Sequence, residues 1–333
     1  MTDITPPAVS LADRVRHIDA GGAVVGVHFL GATPVFVLGE EALLFAGATD
    51  ERRVAVHGGG ILASAADGVR IVTGGDDGRL METTGEGPRE LAADDKKRWI
   101  DQVALGPDGA VAWSAGKVAH VRTGKGELRA WEAPSTVAGL HFAPKGFRLA
   151  IAHYNGATLW FPNAAGAKPE TFAWKGSHLA VTMSPDGRFL VTSMQEATLH
   201  GWRIADGQHM RMSGYSARVR SLSWGADGNF LATSGSEQVI LWPFDGKDGP
   251  MRRQPQMLAP SKARVVAVAC HPRQPVVAAA RDDGCVLLVR LDDGALIEVR
   301  QADAQPVSAL GWDANGRTLA FGTEAGQAGV LAL

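Results

Sequence analysis

The sequence predicts an all-β fold, a single closed β-propeller of eight blades, and three observations predict it. A short apolar strand, a tight turn and a second apolar strand recur eight times, at a period close to forty residues. Most of the turns carry Asp-Gly or Asn-Gly, which supply the positive φ that a hairpin needs. No long helical pattern interrupts the series. A unit repeated at this period cannot bury its apolar faces alone, so neighbouring copies complete one core.

The copies can be followed through their first strands, whose equivalent residues are Val27, Leu62, Val103, Leu140, Val181, Leu222, Val268 and Leu310. Five residues on comes the turn, at Asp67-Gly68, Asp108-Gly109, Lys145-Gly146, Asp186-Gly187, Asp227-Gly228 and Asn315-Gly316. The first and seventh copies use Thr33-Pro34 and Pro272 to Pro275 instead, so seven blades is the alternative count. Next comes a slot expected to be buried: Phe36, Ile71, Ala112, Leu149, Leu190, Leu231, Val277 and Leu319. Third strands follow, ending for example in Trp160, Trp202 and Trp242, and the interval to the next copy has room for a fourth. The segment Arg14 to Ile18 is strand-like but has no blade of its own. Pairing it with Val330 to Leu333 closes the last blade and removes two open edges. Residues 1–11 are left as a flexible tail and 12–333 as the propeller.

The totals exclude several classes. A formal net charge of −2 gives no global attraction to nucleic acid or an anionic membrane. The start of the chain shows no basic region followed by an apolar run, and no apolar stretch reaches membrane-spanning length. Two cysteines, Cys270 and Cys285, are too few for a disulfide framework, which points to free thiols and a cytoplasmic location.

Ser184-Pro185-Asp186-Gly187, Pro107-Asp108-Gly109 and the strand-ending Trp160, Trp202 and Trp242 resemble the WD40 repeat family, over nearly the whole chain. There are departures. No third strand ends in Trp-Asp, and Gly214-Tyr215 stands where the family usually has Gly-His. These departures imply that the family's buried hydrogen-bond tetrad is missing.

No catalytic motif is found. Gly74-Gly75-Asp76-Asp77-Gly78 lacks the Lys-Ser/Thr ending of a phosphate loop. The ten histidines contain no His-x-x-x-His pair, so neither a metal nor another cofactor is expected. The resemblance implies instead a non-catalytic platform that binds a partner protein or peptide on one face, called the top. Positions four and two residues before the first-strand references commonly touch partners in that family; they include Trp99, Asp101, Arg218, Arg220 and Arg264. Tyr154, Trp174, Lys175, His178, Tyr215 and Arg281 should share the face, beside Lys96-Lys97-Arg98. Aromatic and Arg residues are the usual interface anchors. A basic, aromatic rim suits an acidic peptide or protein face. Nucleic acid fits less well, because no long basic stripe with stacking aromatics appears. The expected state is a monomeric propeller within a complex. Two rival readings remain: an enzyme or small-ligand binder using the central channel, and a metal-handling accessory protein.

Overall fold

The computed structural model describes residues 9–164 and 166–333. The described residues form thirty-one strands and two short 3-10 turns. Two compact units are present, one formed by Val54–Ser213, the other by Gly214–Leu333 together with the described residues up to Arg53.

Where eight separate blades are expected, the strands form seven sheets. The difference lies at the fourth and fifth copies. The strand Glu170–Met183 pairs through its first half with Leu149–Trp160 and through its second half with Phe189–Met194. It is thus the last strand of one copy and the first of the next, and the two copies merge into one six-stranded sheet. The remaining copies keep separate sheets built from antiparallel hairpins.

The slot residues confirm the repeat. All eight side chains, from Phe36 to Leu319, are completely buried. In copies four to eight the slot pairs with the residue two after the first-strand reference: Phe142↔Leu149, Met183↔Leu190, Trp224↔Leu231, Cys270↔Val277 and Trp312↔Leu319. The first three copies shift, to Val27↔Phe36, Ala66↔Ile71 and Ala104↔Ala112. Their turns differ in length; the first spans only Gly31-Ala32, and the third passes through the 3-10 turn Pro107–Gly109.

Val15–Asp19 pairs antiparallel with Gln327–Ala332 in the register Val15↔Leu331 to Asp19↔Gln327. Val15 and Ile18 turn inward and are 7% and 5% exposed. The expectation of a free tail over residues 1–11 needs correction. Val9–Ser10 pairs parallel with Leu296–Arg300, and Leu11 N donates to Glu298 O at 2.7 Å. Unmet backbone groups on that outer strand are satisfied by this extra strand. Residues 1–8 lie outside the described residues.

Both cysteines are free, and burial pushes each thiol up to about 11. No helix among the described residues is long and apolar enough to cross a membrane.

Candidate functional site

Loops entering the first strands meet the second-to-third-strand turns at one end of each sheet. There the structure separates the expected rim residues into two kinds. Two positions after the buried slot, four copies carry a hydroxyl, and each hydroxyl meets a side chain from the segment that enters the first strand. Thr73 Oγ1 lies 2.8 Å from His57 Nε2, and Ser114 Oγ donates to Asp101 Oδ1 at 2.7 Å. Thr192 Oγ1 lies 2.7 Å from His178 Nδ1, and Thr233 Oγ1 2.9 Å from Tyr215 OH. The other four copies have Leu38, Ile151, Ala279 and Phe321 at this position and make no such contact.

Three of the expected partner-binding residues are therefore latches that hold the entering loop to its sheet. His178 is fully buried and Tyr215 nearly so, while Asp101 is half-buried against Ser114. A partner cannot reach His178 or Tyr215 without opening the sheet end. Although the family's tetrad is expected to be missing, buried hydrogen-bond networks are present. Trp242 Nε1 donates to Tyr215 OH at 2.6 Å, and Thr233 continues the chain to Ile240 O at 3.2 Å. In the second copy, His57 Nδ1 donates to Asp77 Oδ1 at 3.0 Å. A readable signal existed, namely Thr or Ser two places after the slot with a polar residue ahead of the first strand.

Removing the Tyr215 hydroxyl tests the latch. Tyr215→Phe leaves the buried Trp242 N–H without its acceptor and should lower stability by about 1–3 kcal/mol. Urea denaturation checks this, and an unchanged midpoint would show that the network contributes nothing.

In the unit Val54–Ser213 the other kind of residue stands out. Trp99 is 62% exposed, although its neighbour Ile100 is completely buried. The loop around it is fixed at several points: Asp94 N donates to Gly78 O at 2.8 Å, Lys97 N to Asp94 O at 2.9 Å, and Ile100 N to Gly75 O at 3.0 Å. Arg98 Nη2 donates to Asp94 Oδ1 at 2.6 Å, and that hydrogen bond holds the carboxyl down to about 2. Part of the basic run is thus neutralised internally. Gly78, at φ +76°, lets the loop approach so closely that a Cβ there would sit 2.8 Å from Lys97 Cα.

Tyr154 is 54% exposed, and its backbone N donates to Ser135 Oγ at 2.8 Å. Asn155 Oδ1 accepts from Gly176 N at 3.2 Å, tying that turn to the strand carrying Trp174 and Lys175. Lys175 is exposed. Trp174 is half-buried, stacked on His200 with ring centroids 4.0 Å apart and tilted against His209 at 4.9 Å. It caps its sheet as much as it faces solvent.

In the other unit, the loops 216–220 and 259–265 are both held to the turn 234–238. Ala217 N donates to Gly235 O at 3.0 Å, Gly235 N to Val265 O at 2.9 Å, and Ser261 N to Glu237 O at 3.0 Å. Arg220 and Arg264 are exposed, and Arg218 is half-buried. Arg264 approaches Asp282 at 3.5 Å. Arg281 is only 8% exposed and donates to Ala259 O at 2.8 Å, so it lies beneath the loop and is not part of the rim surface.

Comparisons agree with this architecture. Residues 208–243 match the WD40 family model, described as WD domain, G-beta repeat. The matched stretch holds the Tyr215–Thr233–Trp242 network. No curated protein matches the sequence. Among solved structures, the crystal structure of the computationally designed Ika8 protein is similar, with a TM-score of 0.77 at 17% identity, covering 94% of this chain and 96% of that one. At that identity the likeness concerns the fold alone, an all-β β-propeller.

Proposed function

We propose, from the match of residues 208–243 to the WD40 family model and the propeller fold, that this chain is a WD40-type repeat protein serving as a non-catalytic platform that binds a partner protein at the loop ends of its sheets. One observation carries the reading: Trp99 stands in solvent on a loop whose flanking residues are pinned by hydrogen bonds and by the buried Ile100. A large aromatic side chain gains substantially when its surface leaves water. Here the loop already holds it in place, so a partner that covers it loses little conformational entropy on binding. Tyr154 and Lys175 are further exposed loop-end residues of that unit. Arg218, Arg220 and Arg264 would serve a partner at the loops of the other unit, where rim charges act mainly on association rate and salt dependence.

Trp99→Ala should weaken binding by about 2 kcal/mol or more while leaving stability nearly unchanged. The measurement is the affinity of a partner co-purified from the native cell, compared between the wild-type protein and the folded variant. Equal affinities would remove Trp99 from the interface and with it the reason for placing the interface there.

A further inference from the structure

Arg281 is a buried cation with no counter-charge. Among the described residues it makes no ion pair; its Nη2 donates to Ala259 O, and its Nε has no partner. The neighbouring carboxylates are already engaged. Asp282 accepts from Arg264 N at 2.9 Å and faces the Arg264 side chain. Asp283 accepts from Cys285 N at 3.0 Å, Glu237 from Ser216 Oγ at 2.8 Å, and Asp303 from Arg300 at 2.6 Å. The Cys285 thiol, kept neutral by burial, offers no charge either. Above this guanidinium runs the loop 259–264, which presents the exposed Lys262 and Arg264. The exposed Arg220 stands on the adjoining loop, tied through the turn 234–238.

A charge withdrawn from water and left unpaired is destabilising, and an anion arriving beside it regains that energy. Lys262 and Arg220 also make no ion pair among the described residues, so three cations without a counter-charge, and a weakly engaged fourth, stand on or beneath these adjoining loops. We propose that the loop 259–264 binds an oxyanion, the carboxylate or phosphate of an acidic peptide segment of a protein partner, held by Lys262, Arg264 and Arg220 over Arg281. This rests on the platform reading and names the chemistry of the partner.

The test uses the full chain and three fluorescently labelled peptides of one length, rich in aspartate, phosphoserine or serine, with a labelled oligonucleotide alongside. Anisotropy titrations should show binding of the aspartate or the phosphoserine peptide, whichever source supplies the anion, and none of the serine peptide. Lys262→Glu with Arg264→Glu should weaken that binding at least tenfold. Arg281→Met should weaken it similarly and melt no lower than the wild-type protein, because the unpaired charge is gone. If Arg281→Met does not fold, the surface double variant decides alone. Failure of both acidic peptides to bind, or equal binding by the variants, overturns the site. Tighter binding of the oligonucleotide than of either peptide overturns the assignment to a peptide. If acidic peptides fail while a partner still depends on Trp99, this site is lost and the platform stands.

Discussion

Deleting residues 1–20 should lower the unfolding free energy by about 4 kcal/mol and make the protein associate as its concentration rises. The deletion removes Val15 and Ile18 from their buried positions, each such side chain being worth about 1.5–3 kcal/mol. It also strips the hydrogen-bonded partner from Gln327–Ala332 and leaves that strand as an open edge. Deleting only residues 1–10 removes Val9–Ser10, which is exposed, and should change stability by less than about 1 kcal/mol. Urea denaturation and size-exclusion chromatography of the two truncated forms separate the effects. If the longer deletion keeps the wild-type midpoint and stays monomeric, the pairing with the last sheet contributes nothing.

Acid should weaken the fold well before its carboxylates protonate. Burial holds His28 down to about 4, and burial, with His209, His178 and Arg211 nearby, holds His200 down to about 3. Among the described residues both ring nitrogens of His200 lack a hydrogen-bond partner, and its ring lies against Trp174 and Trp202. Both imidazoles stay neutral in the fold, whereas in the unfolded chain they take up a proton below about 6.5. Below that pH the unfolded state binds more protons, so stability falls as pH drops and levels off only near pH 3–4. At pH 5 the loss is about 2 kcal/mol for each of the two residues. Urea midpoints at pH 7.5 and pH 5 measure it together with the smaller contributions of His120, His141 and His178, which burial also lowers, and His200→Phe, which keeps the stacking, should remove about 2 kcal/mol of the difference. Equal midpoints at the two pH values would mean that neither ring is held neutral by the fold.

The architecture was legible wherever one residue type had to answer one local demand. The slot could be read because eight positions at one spacing are apolar, and all eight are buried. The strand Val15–Asp19 could be read because it had no copy to join. The merging of the fourth and fifth copies could not, since Lys175-Gly176-Ser177 is too short a link to show as a break and stays extended. The site was legible by position but not by exposure. Trp99, Tyr154, Lys175, Arg220 and Arg264 do face solvent. Asp101, His178 and Tyr215 occupy equally suitable positions, yet each has a hydroxyl waiting on the second strand, and that partner draws it inward. Arg281 likewise sits at a turn that reads as surface, but its side chain runs under the next loop to Ala259 O.

The unbroken strand Glu170–Met183 has a consequence for how this region opens. Its ladders to Leu149–Trp160 and to Phe189–Met194 lie on one backbone with no loop between them to absorb movement. Fraying that begins in one copy pulls directly on the pairing of the other. Hydrogen-bonded amide protons of the strands Leu149–Trp160, Glu170–Met183 and Phe189–Met194 should therefore exchange with solvent as one block, with a common opening free energy, while separate sheets can exchange one at a time.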